Sequence, residues 1–441
     1  MGGNGFFFAH GDFHRDAPRR LFATVDRREN GRIQLEAVDA FWTEANLGRN
    51  MGFADWSERA PDAPLFIIEM PDRVYGQWRP LPSGEDKSES KPQRTGPGRR
   101  WLEVEVAQSG AGNALLYSNL FAEGRSLPVA VIRPAPIVVA RELDLMFRLD
   151  DFVADEEDIR AALKGLQQTI HWIAVYDVGQ GSANGLCSRD GAPVAYFDLG
   201  GGVLDNAGTF PPALTNICTT YQPPVILSHW DWDHWSSAQR FQQALRMSWI
   251  VPNQELGVVH GAFAADVVAN GRLLVWPDGL AGMHVGKVTV EKCTGAGRNH
   301  SGLALLVDGP NAEPPILLPG DARYSAIPSG FAEFTSVVVP HHGADMRLKA
   351  TPVCPRLAAS RAAYSFGKGN SYSHPRDPTL RDHHANSWDH SVFQPGGGGI
   401  DRQTAQRTVK GLGHIGLDWS GATALPQLPC GGQCSLALQQ R

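Results

Sequence analysis

The chain has 441 residues, of which 42% are hydrophobic and 20% charged, with 48 Gly and 31 Pro. These proportions exclude a mostly disordered or collagen-like chain and favour a loop-rich α/β or β-rich protein of two or three domains over a helical bundle. The net charge is −6, from 40 Lys+Arg and 46 Asp+Glu. Residues 171–441 are close to neutral, so no broad basic field advertises a nucleic-acid surface, although a metal centre can supply local positive charge by itself.

In chain order, Phe6 to Ala9 is a short apolar knot with no basic residue before it, and it does not read as a signal peptide. His10 and His14 follow, and Gly11 between them makes a solvated arm the better reading than a metal pair. Residues 1–150 read as a β-rich α+β module with no chemical motif, open to a protein partner. Strand-like pieces are Leu21–Asp26, Ile33–Val38, Leu65–Glu69, Trp101–Val106 and Val129–Ile132. Trp101-Leu-Glu-Val-Glu-Val106 alternates apolar and charged residues, as a half-buried strand does. Residues 82–100 are too rich in charge, Gly, Ser and Pro to pack and read as a mobile loop. Residues 151–170 read as a connecting helix: acids crowd its start, and Ile159, Leu163, Leu166 and Ile170 share one face.

From His171 to about residue 420 short apolar strands alternate with glycine-rich turns. Candidate strands are Trp172–Val178, Val194–Leu199, Val225–Ser228, Trp249–Val251, Leu273–Trp276, Val288–Lys292, Ala304–Val307, Ile316–Leu318, Val337–Val339 and Ala362–Phe366. Candidate helices are Ser236–Met247, Phe263–Ala269, Ser325–Phe334 and Pro378–His384. Residues 421–441 form a tail holding Cys430 and Cys434. With six widely spaced cysteines a disulfide framework is not expected, and a cytoplasmic location is. No apolar run reaches the roughly 18–20 residues that cross a bilayer, so no membrane span is expected.

The chemistry concentrates at His229-Trp-Asp231-Trp-Asp233-His234, directly after the strand ending at Ser228. Four potential ligands lie within six residues, and alternation directs His229, Asp231 and Asp233 to one side. Imidazole with carboxylate suits Zn²⁺, Mn²⁺ or Fe. An apolar strand and two tryptophans flank the cluster, which argues against a merely solvated acidic turn. Further candidates arrive at later strand ends: His300 in Asn299-His-Ser, Asp321 in Pro319-Gly-Asp, His341-His342-Gly343 after Pro340, and His374 in Asn370-Ser-Tyr-Ser-His-Pro375. A carboxylate at Asp321 could bridge two metals. The glycines 179, 181 and 200–202 fit neither a dinucleotide fingerprint nor a P-loop and read as tight turns.

Taken together, these segments resemble the metallo-β-lactamase fold, and most of all the soluble hydrolase domain of DNA-internalisation competence proteins of the ComEC type. Asp177-Val-Gly-Gln-Gly-Ser182 resembles that branch's opening DVGQGD, with Ser where an acid is usual. Phe197-Asp198-Leu-Gly-Gly201 resembles the family's first motif, and residues 370–375 its closing NxYxHP. The second position of the main motif is Asp231, as in that branch, where the common form has His.

The resemblance implies a four-layer αββα sandwich over 171–420 and two divalent metal ions, Zn²⁺ first, with Mn²⁺ or Fe as alternatives. It implies a first metal on His229 and Asp231, with His300 or no third-motif ligand, and a second on Asp233, His234 and one of His341 and His342, of which His341 is preferred because it follows the strand directly, with Asp321 between the two metals. A metal-bridging hydroxide would attack the substrate. Asp233 would orient it, and His374 or His342 would donate a proton or stabilise the oxyanion. Asn370 and Trp232 are candidates for substrate contact, although Asn370 also suits a turn and the tryptophans also suit packing. Asp198 and Asp177 would support the metal loops. The favoured activity is hydrolysis of a phosphodiester in nucleic acid or a nucleotide. The alternatives are an ester, lactone or amide hydrolase, a di-iron oxidoreductase, and a non-catalytic metal-stabilised binding module.

Overall fold

The computed structural model describes residues 3–7, 18–46, 48, 51–78, 100–346, 350–393, 400–407 and 411–420. The expectations for His10 and His14, for most of the stretch 82–100, for Cys430 and Cys434 and for the tail 421–441 lie outside these residues. The chain forms two units, one of Met1–Asp151 with Glu255–Asn270, the other of Phe152–Gln254 with Gly271–Arg441. Among the described residues no helix is long and apolar enough to cross a membrane.

The first unit is built on one seven-stranded sheet, antiparallel throughout, in the order Arg125–Leu127, Ala114–Tyr117, Leu65–Pro71, Arg32–Asp39, Arg20–Glu29, Trp101–Val106 and Val129–Pro134. Its central hairpin turns at Asn30-Gly31. Both residues have positive φ (50° and 75°), the conformation that a two-residue hairpin needs and that Asn-Gly supplies at low cost. Leu21, Ala23, Ile33, Leu35, Phe66, Ile68, Leu102 and Val104 form the core on one face. The segment 255–270, which lies far along the sequence, joins this unit. Its helix Val258–Asn270 packs on the helix Phe53–Arg59 and the strand Arg32–Asp39.

The second unit contains two mixed seven-stranded sheets. One runs Arg272–Trp276, Ser248–Pro252, Val225–Ile226, Pro193–Leu199, Ala183–Cys187, Trp172–Val175, Ile415–Leu417. The first four are parallel and the rest antiparallel. The other runs Gly282–Val285, Val288–Lys292, Leu303–Val307, Ile316–Leu318, Ser336–Val338, Arg361–Tyr364, Asp401–Gln403. It is antiparallel to Ile316–Leu318 and parallel beyond. Ile173, Val175, Phe197, Ile226 and Ile250 of one sheet share a core with Val290, Leu303, Leu305, Ile316 and Leu318 of the other, so the two sheets pack as a sandwich. On the second sheet, the opposite side chains Ala304, Leu306, Leu317, Val337 and Tyr364 pack with Leu380 of the helix Asp377–Ala385 and with Trp388.

Three expected helices are shorter or broken. The connecting helix is Glu156–Ala162, with Asp155 accepting from the Asp158 amide at its start. It gives way to a tight turn Lys164–Gln167, where Gly165 lies against the Val194 carbonyl. Ser236–Met247 resolves into Ser237–Arg240 and Gln242–Arg246. Of Ser325–Phe334, only one turn at Tyr324–Ala326 is helical.

Candidate metal centre

The candidate ligands sit where strands of both sheets end. The strand Val225–Ile226 runs into Ser228 and His229, after which Trp232–His234 forms a single tight turn. Ile316–Leu318 leads to Asp321, and Ser336–Val338 to His341 and His342. Glycines let these loops approach one another. A Cβ on Gly200 would lie 1.7 Å from the Asp233 carbonyl oxygen, and one on Gly302 1.9 Å from that of Ser228. The same Asp233 carbonyl accepts the Ser182 amide at 3.0 Å, and the Gly200 amide donates to the Ser182 carbonyl at 2.7 Å. The glycine-rich segments 179–182 and 200–202 thus act as close-packing turns under the acidic loop.

His229, Asp231, Asp233, His234, Asp321 and His342 are each 3% exposed or less. The ligand atoms of His229, His234 and Asp321 lie within 4.8 Å of one another, and so do those of Asp233, His234 and His342. His234 Nε2 is 3.1 Å from Asp321 Oδ1, His229 Nε2 is 3.6 Å from Asp321 Oδ2, and His342 Nε2 is 3.3 Å from Asp233 Oδ2. Asp231 Oδ2 is 3.4 Å from His229 Nε2, and its Oδ1 accepts from Arg298 Nη1 at 3.1 Å.

The outer hydrogen bonds set the tautomers. His234 Nδ1 lies 2.8 Å from Asp198 Oδ2, and His342 Nδ1 lies 2.8 Å from the Ser365 carbonyl. A carboxylate and a carbonyl only accept, so each Nδ1 carries the proton. Ser228 Oγ donates to Asp198 Oδ2 (2.9 Å) and so accepts from His229 Nδ1 at 2.9 Å. All three rings therefore direct the Nε2 lone pair into the cluster. None of those Nε2 atoms and neither Asp321 oxygen makes a hydrogen bond, although all are buried. Buried polar atoms are rarely left so. Imidazoles held at Nδ1 with Nε2 aimed at carboxylates are the arrangement that holds a divalent cation, so the residues fit the implied metal.

Without a cation the cluster binds protons. Burial disfavours a charged His234, but Asp321 and Asp198 outweigh it and hold its pKa well above the ordinary histidine value. Burial likewise opposes charge on His342, and Asp321 and Asp233 raise it. Burial would raise Asp321, but His341, His234, His342 and His229 together hold it well below the usual carboxylate range.

Asp198 has a left-handed backbone (φ 60°) and accepts from the Ser228 amide at 2.7 Å as well as from Ser228 Oγ and His234. Asp177 is buried, paired with Arg407 Nε at 2.6 Å and accepting from the Gly413 amide at 3.0 Å. It therefore ties down the loop after the strand Trp172–Val175.

The structure places several of the expected residues differently from their expected positions. Between the paired histidines, position in the chain favours His341 as the ligand. The structure brings His342 into the group with Asp233 and His234. His341 is the more exposed of the two, with Nε2 3.4 Å from Asp321 Oδ2. His300 belongs to neither group: its Nε2 accepts from Arg323 Nε at 3.0 Å, and burial lowers its pKa. Asn370 is absorbed by its own loop, donating to the Gly367 and His374 carbonyls and accepting from the His374 amide. It builds the turn that presents His374, whose ring lies 5.6 Å from that of His341 and whose Nδ1 is 3.3 Å from Gln180 Nε2. Trp232 is 2% exposed, and Trp230 and Trp235 are fully buried, so all three pack rather than line a cleft. Ser228, Ser365, Arg298 and Arg323 were not expected at the site. Only the adjacency of Ser228 to His229 and of Arg298 to His300 hints at them.

No family model matches the chain, and no curated protein matches it. Among solved structures it is similar to Zn(2+)-bound PqqB from Methylobacterium extorquens, with 7% identity and a TM-score of 0.25 over 38% of this chain and 72% of that one. It is also similar to a protein of unknown function from Enterococcus faecalis V583, with 13% identity and a TM-score of 0.24 over 38% of this chain and 49% of that one. Likeness this loose carries no weight for fold or activity, and the site stands on its own residues.

Proposed function

We propose that the second unit is a metal-dependent hydrolase of the metallo-β-lactamase type, acting on a phosphodiester. The observation that carries this reading is the convergence of three buried Nε2 atoms and both Asp321 oxygens, none of them hydrogen-bonded. His229, His234, His342, Asp231, Asp233 and Asp321 would hold the cation or cations, which when bound lower the pKa of a water and polarise an ester oxygen. Asp198, Ser228 and the Ser365 carbonyl keep the imidazoles in the ligating tautomer. Asp233, on the His342 side of the cluster, would orient a nucleophile. His374, whose ring lies 5.6 Å from that of His341, would hand a proton to a leaving group.

Two guanidinium groups favour an anionic substrate over a neutral ester or amide. Arg298 contacts Asp231, and Arg323 contacts His300, which itself feels the charge of Asp321. Arginine forks suit phosphoryl oxygens. The test is turnover of bis(p-nitrophenyl) phosphate by chelator-stripped protein reloaded with Zn²⁺ or Mn²⁺, followed by a panel of single-stranded DNA, duplex DNA, RNA and cyclic nucleotides. Metal-dependent turnover that Asp233→Ala abolishes is expected. Hydrolysis of p-nitrophenyl acetate or a lactone with no phosphodiester turnover would overturn the substrate assignment. Metal retention without turnover of any ester would overturn the enzyme assignment.

A further inference from the structure

The first unit holds its own buried trio of one imidazole and two carboxylates. His260 Nε2 lies 2.8 Å from Asp26 Oδ1 and 3.0 Å from Glu36 Oε1. The side chains of all three are 1% exposed or less, and their ligand atoms fall within 4.8 Å of one another. We propose that Asp26, Glu36 and His260 form a second cation site, separate from the hydrolase centre, that takes one divalent first-row transition metal.

Each residue is aimed at the trio by a local feature. Asp26 sits at a β-bulge in the hairpin. Val25 pairs with Leu35 and Arg27 with Gln34, and the register shifts between them. Bulges re-aim a side chain and recur beside functional sites. Glu36 lies on the neighbouring strand, opposite Thr24. Its Oε2 accepts from the amides of Val259 at 2.9 Å and His260 at 3.4 Å, which leaves Oε1 turned toward the His260 ring. Gly257 makes this possible, since a Cβ there would lie 2.0 Å from Glu36 Oε2. His260 comes from the first turn of the 13-residue helix Val258–Asn270. Three chain segments thus deliver one nitrogen and two oxygens to one buried point, with a carboxylate oriented by outer hydrogen bonds as metal ligands are.

The spacing fits a metal. Ligands about 2.0–2.2 Å from a cation are roughly 3.0–3.4 Å apart at octahedral to tetrahedral angles, and the two His260–carboxylate separations of 2.8 and 3.0 Å need to open by only a few tenths of an ångström. A donor set of one imidazole and two carboxylates suits Zn²⁺, Mn²⁺ or Fe²⁺ rather than a soft ion or a Ca²⁺ cage. Bound there, the cation would tie the helix Val258–Asn270 to the hairpin carrying Asp26 and Glu36.

The deciding experiment is anomalous diffraction from crystals of the full chain grown with Mn²⁺ or Zn²⁺, collected on both sides of the metal edge. A peak within about 2.0–2.3 Å of His260 Nε2, Asp26 and Glu36 is expected. The absence of a peak there with every one of Zn²⁺, Mn²⁺ and Fe²⁺ would overturn the proposal, leaving a protonated His260 bridging two carboxylates. Metal counting on stripped and reloaded protein gives a second measure. Asp26→Asn is expected to bind one equivalent fewer than the unaltered chain, and equal stoichiometry would overturn the assignment. Peaks at the two centres are read separately, so either can fail alone.

Discussion

Asp198→Asn isolates the hydrogen bonds that stand behind the candidate metal centre. Asp198 has φ 60°, a conformation that Asn tolerates, so the substitution alters hydrogen bonding with little backbone penalty. One side-chain oxygen can still accept from the Ser228 amide, as Asp198 Oδ1 does at 2.7 Å. The other position, which in Asp accepts from both Ser228 Oγ and His234 Nδ1, becomes an NH₂ group that only donates. His234 Nδ1 must then accept, and the ring proton moves to Nε2. That is the nitrogen facing Asp321 and the one shared by both groups of candidate ligands. Recovering the ligating tautomer costs a buried hydrogen bond, and losses of outer-shell partners typically weaken metal binding 10–100-fold, about 1.4–2.7 kcal/mol. Competition titration against a chromophoric chelator, at a pH where the unaltered protein is saturated, measures the loss. An affinity within twofold of the unaltered protein would refute the tautomer assignment. Asp198→Ala is expected to do more harm, because it strips three buried donors of their acceptor and puts a Cβ-only side chain in a left-handed position.

Stripped of metal, the protein is expected to lose stability as pH rises through neutrality. His234 and His342 have raised values when folded, so their contribution is complete below the unfolded histidine pKa, about 6.5, and fades as pH climbs through the folded values. Asp321 is depressed, so its contribution holds above the unfolded aspartate pKa, about 3.9, and fades only in acid. Metal-loaded protein should show the opposite trend near neutrality, since binding displaces protons. Thermal melts of both forms between pH 6 and 9 would check this, and parallel curves would count against it. Gly200→Ala places a Cβ 1.7 Å from the Asp233 carbonyl oxygen, where backbone must move. A loss of about 3 kcal/mol or more in urea unfolding is expected, and a loss under 1 kcal/mol would contradict the close approach. His300→Ala should leave metal stoichiometry unchanged, because His300 contacts Arg323 and lies outside both ligand groups. Loss of one equivalent on metal analysis would restore His300 as a ligand.

What was legible in the sequence depended on how local its cause was. The run from His229 to His234 announces itself because four ligating side chains follow one buried strand, and Asp321 and the paired histidines stand at strand ends in the same way. Strands with strong apolar texture, such as Val288–Lys292 and Ile316–Leu318, fall where periodicity puts them. Ala183–Cys187 was missed. Its sequence, ANGLC, lacks β-branched residues, and it becomes a strand because both neighbours bury it. The signal available was the turn after it, where Asp190-Gly191 leads into the antiparallel partner and Gly191 has φ 88°. The membership of the helix Val258–Asn270 in the first unit was invisible for a different reason. Ten of its thirteen residues are buried, so it has no polar face to show which side meets which sheet. Asp26 and Glu36 carried no signal either, since a bulge is a property of the pairing and not of one strand.

The choice between His341 and His342 shows why spacing alone falls short at such a centre. Following the strand directly favours His341 only while the backbone stays extended, but His341, His342 and Gly343 all have positive φ, at 49°, 55° and 86°. Two successive non-glycine residues in this region cost roughly 1–2 kcal/mol each. Neighbours hold them there: the His341 amide donates to the Gly320 carbonyl at 3.2 Å, the Ala344 amide to that of His341 at 2.8 Å, and the Arg376 amide to that of Gly343 at 2.8 Å. The reversal turns the second ring of the pair inward, to Asp233 and the Ser365 carbonyl. Among the described residues, nine non-glycine positions have positive φ, and Asp198, His341, His342 and Ser373, which precedes His374, are four of them. Strain of this kind persists where the surroundings over-determine it. Here it gathers on the loops that aim imidazole and carboxylate at one point, so the backbone is bent where the proposed chemistry needs the side chains to meet.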